Sequence, residues 1–176
     1  PGWGKHQVKQ LDKLLRSKAS LILDADALNM LAHDTELQQA AINRKATTTV
    51  LTPHAGEAGR LLGVSAKAIQ NDRLSSALKL ADKFHAWVVL KGAQTLVVSP
   101  DKQVWLNPFG SAKLAVAGTG DILAGMIGGL LATNIPTDTA ITAAVGLHGY
   151  AGEQPGWYKA GQLEKQVASL VQQFQN

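Results

Sequence analysis

Gly118-Thr119-Gly120-Asp121 stands immediately before Ile122 to Ala132, a run of apolar and small residues. Glycine has no Cβ, so successive N–H groups there can turn toward one point, and a helix starting behind them adds its positive dipole end. Such a place is suited to phosphate. Asp121 falls in the first turn, where the same dipole favours a negative charge. A carboxylate beside an anion hole fits phosphoryl transfer, in which positioning and charge stabilisation dominate and the base receives the hydroxyl proton late. On this reading the helix from 120 to 132 is buried along its sides, and its one charged residue sits at the end that opens on the ligand. A plain alternative stays open: an acidic residue that stabilises the start of a core helix.

Other candidate groups occur where short apolar runs end. Asp24, in Asp24-Ala25-Asp26-Ala27-Leu28-Asn29, can orient a ligand or hold Mg²⁺ through water, while Asp26 can cap the helix that follows. Thr52-Pro53-His54-Ala55-Gly56-Glu57 offers polar groups after the next run, or is simply a turn with Glu57 at a helix start. Lys91-Gly92-Ala93 places either a phosphate-facing or a solvent-facing lysine before a tight turn, and Lys113 has the same double reading. His148 reads as a packed or surface histidine, and the five histidines show no metal-ligand spacing.

Familiar motifs fail. Gly2-Trp3-Gly4 lacks the third glycine of a dinucleotide fingerprint, and Gly4-Lys5 is followed by His6 where a P-loop needs Ser or Thr. No G-x-S-x-G elbow is present. The chain has no cysteine, which excludes thiolate chemistry and fits a reducing compartment, with the cytoplasm as the expected location. The net charge of +4 is scattered singly, which argues against a nucleic-acid groove. The longest apolar run is too short to span a bilayer core of about 30 Å, so a membrane association is not expected.

The elements that must position these groups alternate in type. Ser20 to Asp24 reads as a strand and Ala27 to His33 as a helix. Thr47 to Thr52 is a β-branched strand ended by Pro53, with a helix from Ala55 to Leu62. Ser65 can cap one long helix reaching His85, with Ile69, Leu74, Leu78, Leu80 and Ala81 on its apolar face. Trp87 to Leu90 is a third strand. Thr95 to Val98 and Gln103 to Leu106 form a hairpin around Ser99-Pro100-Asp101-Lys102, and helices follow from Gly120, Thr137 and Gly161. Strands alternating with helices predict one α/β domain over 1–176, a sandwich with a mainly parallel sheet and a ligand site beyond the carboxyl ends of its strands.

Taken in order, PGWG, LILDADALNML, LTPHAGEAGRLLG, VVLKGAQT and NPFGSAKLAVAGTGDILAGMIGGLLA closely resemble the NAD(P)H-hydrate dehydratases. These are ribokinase-like α/β/α repair enzymes, often fused behind an epimerase domain. The resemblance spans nearly the whole chain. GTGD is shared with ribokinase-like kinases, whereas DADALN, TPHxGE and LKGA together are far more specific to the dehydratases.

The resemblance implies an ADP-dependent (in eukaryotes ATP-dependent) lyase that drives water out of the S form of hydrated NADH or NADPH, with Mg²⁺, releasing AMP and phosphate. It implies Asp121 as the base and a substrate contact, and Gly118, Thr119 and Gly120 as the anion hole. Lys91, Gly92, Ala93, Gln94 and Thr95 would hold the nucleotide, with Gly110, Ser111 and Lys113 in the loop beside its phosphates. Gly4, His54 and Glu57 would border the hydrated dinucleotide, and Asp24 and Asn29 would support that wall or Mg²⁺.

The chain departs from the family pattern in having Ala55 where Pro is usual, Gly110-Ser111 for Gly-Asn, and Lys113 and Ala117 for glycines. Lys113 can neutralise a phosphate or, by its bulk, narrow the loop. Family domains also carry sequence before the PGxG turn. The chain, which opens on Pro1 without an initiator methionine, is therefore expected to correspond to roughly the carboxyl-terminal two-thirds of a domain of ordinary size. An exposed sheet edge is then expected, covered by a second copy in a homo-oligomer or by an upstream domain. Two alternatives are a ribokinase-like kinase for a vitamin precursor and a non-catalytic nucleotide-binding remnant.

Overall fold

The structure, a computed structural model, describes residues 4–44, 48–156 and 159–174; Pro1 to Trp3 of the opening turn and Thr47 of the second strand lie outside them. The residues fall into two compact units, one of 1–92 with 96–104 and the other of 93–95 with 105–176.

In the first unit the order is α1 (Lys5–Leu15), β1 (Leu21–Leu23), α2 (Asp26–His33), α3 (Thr35–Ile42), β2 (Thr49–Leu51), α4 (Ala55–Leu62), α5 (Ala66–Asn71), α6 (Arg73–Phe84), β3 (Trp87–Leu90) and β4 (Leu96–Val98). β1, β2 and β3 run parallel, with Leu23 beside Leu51 and Leu51 beside Val88, and β4 returns antiparallel with Leu96 beside Leu90. The sheet is thus mixed. Its order is β1-β2-β3-β4-β5, with β5 (Val104–Leu106) at one edge and β1 at the other among the described residues.

The strands are short apolar runs because both faces are covered. Leu51, Val88, Leu90, Leu96 and Val98 join one core with Leu28, Leu31, Leu61, Ile69 and Leu80 from the helices. Val50, Val89 and Val97, which alternate with them, are equally buried.

Arg44, just past α3, ties the end of α1 to β2. Its guanidinium donates to the carbonyls of Leu14 (3.0 Å), Leu15 (2.9 Å), Ser17 (3.2 Å) and Ala19, and to Thr49 Oγ1 at 3.0 Å. Those are carbonyls that the last turn of a helix and its exit leave without intrahelical donors. Partial burial holds this guanidinium below the ordinary arginine range.

The single long helix expected behind Ser65 is two helices. Ser65 does cap α5, its hydroxyl accepting from Ala68 N at 3.1 Å, but Asp72 leaves helical geometry and caps α6 by accepting from Ser75 N at 3.1 Å. Two competing caps seven residues apart break the run. Leu74, placed on the apolar face by the unbroken pattern, is consequently 47% exposed, while Ile69, Leu80 and Ala81 are buried. α1 and α3 were not foreseen.

The second unit contains a 3₁₀ turn at Ala112–Ala115, then α7 (Thr119–Leu131), α8 (Thr137–Glu153) and α9 (Ala160–Phe174). Ala151, Leu163 and Leu170 form one small core cluster there, with Leu114, Ile122, Leu147 and Val167 packed around them. The expectation that α7 is buried along its sides is not met. Thr119, Leu123 and Ile127 are buried, but Asp121, Gly125 and Gly129 lie four apart along an exposed stripe. Among the described residues no helix is long and apolar enough to cross a membrane.

Candidate functional site

The parallel register sets the carboxyl ends of β1, β2 and β3 side by side, so Asp24, Pro53-His54 and Lys91 emerge at one sheet edge. The ladder continues past the strands: Thr52 N donates to Leu23 O at 3.1 Å and Lys91 N to Pro53 O at 2.8 Å. At that edge Lys91 Nζ donates to Asp24 Oδ1 at 2.7 Å and stands 4.0 Å from Glu57 Oε2. The carboxylate of Glu57 is only 5% exposed, that of Asp24 14%, and the Lys91 side chain 20%. Such burial requires a counter-charge, and each group supplies the other's.

His54 and Glu57 form a reciprocal cap on α4. His54 Nδ1 accepts from Gly56 N at 2.9 Å and Glu57 N at 3.2 Å, while Glu57 Oε2 accepts from His54 N at 2.8 Å. An Nδ1 that accepts twice carries its lone pair inward, which assigns the ring proton to Nε2, 3.4 Å from Glu57 Oε1. The imidazole is therefore fixed in tautomer and direction although its side chain is 55% exposed.

Asp24-Ala25-Asp26-Ala27 forms a tight turn, closed by Ala27 N donating to Asp24 O at 3.0 Å. Ala25 sits at φ 47°, ψ −113°, the first central position of a type II′ turn, which glycine normally fills. Capping of α2 by Asp26 is not found. Asp26 is the first helical residue, Ala25 holds the cap position, and no side chain caps the helix. Asn29, one turn later, accepts from Arg60 Nε at 2.7 Å, joining α2 to α4.

One group here gave no signal in the sequence. Arg73, at the start of α6, donates to Leu90 O at 3.0 Å and, at 3.5 Å, to Lys91 O, holding the exit of β3. Burial pushes its guanidinium below the ordinary arginine range. Gly92, at φ 143°, lies against it: a Cβ there would stand 2.8 Å from Arg73 Nη1. Gly4 is the cap residue of α1, its carbonyl accepting from Gln7 N at 3.0 Å.

In the second unit Ala93, Gln94 and Thr95 precede β4, and Thr95 O accepts from Asn107 N at 2.9 Å. The loop from Asn107 to Leu114 lies on the backbone of α8. Asn107 Nδ2 donates to Phe109 O (2.9 Å) and Val145 O (3.3 Å), Gly110 N to Glu153 Oε1 (2.8 Å), Ser111 Oγ to Gly152 O (2.7 Å) and Lys113 Nζ to Gln154 O (3.3 Å). Gly149 and Gly152 make the approach possible. A Cβ on the first would meet Asn107 Nδ2 at 2.6 Å and one on the second Leu114 at 2.6 Å.

The loop ends at Gly118, whose φ of 91° starts α7 without a side-chain cap. Thr119 turns inward, its hydroxyl donating to Leu114 O at 2.7 Å or Val116 O at 2.9 Å, and its carbonyl meets His148 Nε2 at 2.9 Å. His148 is thus the packed histidine expected, 7% exposed. Since first-turn N–H groups have no intrahelical acceptor, those of Gly120 and Asp121 remain at the mouth of α7 beside the exposed Asp121 carboxylate. An uncapped N-terminus of this form can receive an oxyanion, with a carboxylate at hand to take a proton.

A family model described as NAD(P)H-hydrate dehydratase matches residues 1–169. The ADP-dependent (S)-NAD(P)H-hydrate dehydratase of Neisseria meningitidis is 40% identical over 99% of this chain, and the bifunctional NAD(P)H-hydrate repair enzyme Nnr of Gloeobacter violaceus is 46% identical over 87%. The chain spans 60% of the length of the first and 29% of the second. The crystal structure of the Bacillus subtilis ADP/ATP-dependent NAD(P)H-hydrate dehydratase, co-crystallised with ATP/Mg²⁺, superposes with a TM-score of 0.82 at 33% identity, covering 97% of this chain and 61% of that one. The hydroxyethylthiazole kinase of Pyrococcus horikoshii, at 19% identity and a TM-score of 0.71, shares the fold alone. By fold the chain is a ribokinase-like α/β/α sandwich with a mixed, mainly parallel sheet, and by sequence it belongs to the NAD(P)H-hydrate dehydratase family.

Proposed function

We propose that the protein to which this sequence belongs removes water from the S form of hydrated NADH or NADPH, using ADP, and releases AMP and phosphate. The observation that carries this reading is the mouth of α7, where unengaged backbone N–H groups and the Asp121 carboxylate stand together. Similarity to relatives named for the reaction supports it.

In this mechanism Asp121 takes the proton of the hydrate hydroxyl as that oxygen bonds to the terminal phosphorus of ADP, and the P–O bond to AMP breaks. The N–H groups of Gly120 and Asp121 take up the charge that develops on the transferring phosphoryl oxygens. Phosphate then departs from the ester with the C–O electron pair and takes up the proton lost from the neighbouring ring carbon, which restores the dihydronicotinamide double bond. Gly92 to Thr95, the Gly110–Ala117 loop and Gly118 to Gly120 would hold the nucleotide, and Gly4, His54 and Glu57 would border the dinucleotide.

Mg²⁺, when bound with the nucleotide, neutralises phosphate charge. Asp24 is a poor fit for it, because Oδ1 is taken by the Lys91 ammonium at 2.7 Å. Among the described residues no three His, Asp or Glu side chains gather to hold a metal. The ion would therefore arrive on the phosphates, in keeping with its usual retention of water and few protein ligands, and no step is assigned to it.

The test is the growth of NADH near-ultraviolet absorbance when the purified protein meets hydrated NADH, Mg²⁺ and either ADP or ATP. Asp121→Asn should lower the rate by about 10²- to 10⁴-fold, as loss of a general base does. Full activity in that variant would remove Asp121 from its role. A stable phosphate ester in place of NADH would identify a kinase instead.

A further inference from the structure

We propose that Lys91 is a positioning residue for His54, acting through Glu57, and that its ammonium does not bind the nucleotide phosphates. The inference rests on the reading above for the identity of the substrate, but its geometry stands alone.

Both ends of Lys91 are committed. Its N–H is held by Pro53 O at 2.8 Å, which locks the exit of β3 to the turn that leads into His54, and its carbonyl faces Arg73. Its ammonium lies between two carboxylates, 2.7 Å from Asp24 and 4.0 Å from Glu57, with only a fifth of the side chain exposed. A lysine meant for phosphate keeps its charge for the ligand. Here the charge is already answered, and the acidic groups around it would oppose an incoming anion.

Glu57 transmits the effect. Its Oε2 faces Lys91 and accepts from His54 N, so Oε1 is turned toward His54 Nε2 at 3.4 Å. Without the ammonium, a carboxylate 5% exposed has lost its cationic neighbour and is drawn toward water, and His54 N loses the acceptor that closes the cap around the imidazole. His54 is the exposed member of the set, and so the one available to a ligand.

The experiment uses Lys91→Met and, as a second perturbation of the same link, Glu57→Gln, each compared with Lys91→Arg. ADP affinity is read by calorimetry, the His54 backbone amide by ¹⁵N NMR, and KM for hydrated NADH by turnover. Both Lys91→Met and Glu57→Gln should leave the ADP Kd within about twofold, shift the His54 backbone amide signal as its bond to Glu57 is lost, and raise the KM for hydrated NADH about tenfold or more. Lys91→Arg should recover the His54 signals. A Kd for ADP weakened about tenfold in Lys91→Met, with the His54 signals unmoved, would overturn the proposal and return Lys91 to the phosphates. Absence of turnover in the unaltered protein would defeat the proposed function while leaving the ADP and NMR arms decisive. If Lys91→Met does not fold, Glu57→Gln decides between the same outcomes for the His54 signals.

Discussion

Replacing Ala25 by glycine should make the protein more stable and less well organised at the end of β1. Ala25 holds φ 47°, ψ −113° between Asp24 and Asp26. An L-residue there crowds its Cβ against the backbone, a strain of about 1–3 kcal/mol. Glycine relieves it, at a cost of about 0.4–1 kcal/mol from the greater freedom of the unfolded chain. The turn keeps its hydrogen bond from Ala27 N to Asp24 O in both forms. The net expectation is therefore a gain of about 0.5–2 kcal/mol, seen as a higher urea midpoint with an unchanged slope. The same relief widens the range of ψ open to residue 25, so Asp24 is less firmly aimed at Lys91, and kcat/KM should fall severalfold. Ala25→Val, which adds branching at a positive φ, should lower the midpoint. A glycine variant less stable than the parent by about 0.5 kcal/mol or more would show that Ala25 carries no strain and that the reasoning is wrong.

Two further outcomes follow from hydrogen bonds elsewhere. Arg44→Ala removes three partly buried bonds, to Thr49 Oγ1 and the carbonyls of Leu15 and Ser17, along with exposed ones that water can replace. At about 0.5–1.5 kcal/mol each, unfolding by urea should report a loss of about 2–4 kcal/mol, and a loss below 0.5 would mean that water substitutes fully. Lys113, whose ammonium donates to the neutral carbonyl of Gln154, would have its charge available to a phosphate. Lys113→Ala should weaken ADP about twofold to fivefold, the range of an exposed ion pair, and an unchanged Kd at low salt would leave Lys113 as a loop tether only.

The sequence made visible what depends on local pattern. The apolar runs LIL, TVL, WVVL and LVV are strands because a sheet covered on both faces needs no alternation. Pro53 and Gly118 punctuate the chain where their backbone chemistry demands. GTGD falls at a helix start because glycine supplies the positive φ there. What pattern could not carry was competition and distance. Asp72 splits one periodic stretch because its side chain offers a cap that outweighs one more turn of helix. Asp26 looked like a cap, yet the turn at Ala25 places it one residue too late. The Asp24–Lys91 pair spans 67 residues, and the link from Arg73 to Leu90 seventeen, so neither leaves any mark on local composition. Glu153, which holds Gly110, reads in the sequence as an ordinary polar helix end.

At two glycines the Asn107–Leu114 loop lies directly on the backbone of α8, the Asn107 side chain and Phe109 carbonyl over Gly149 and the Leu114 side chain over Gly152. The helix offers no side chain of its own at these two points, so a slide of the loop can be taken up only by Asn107 and Leu114. Its hydrogen bonds to Gly152, Glu153 and Gln154 add three more attachments over the last residues of the helix and its cap. The loop and the end of α8 therefore behave as one mechanical body. Any motion that opens this loop must carry the tail of α8 with it, and the stiffness of a long helix sets how far the loop can breathe.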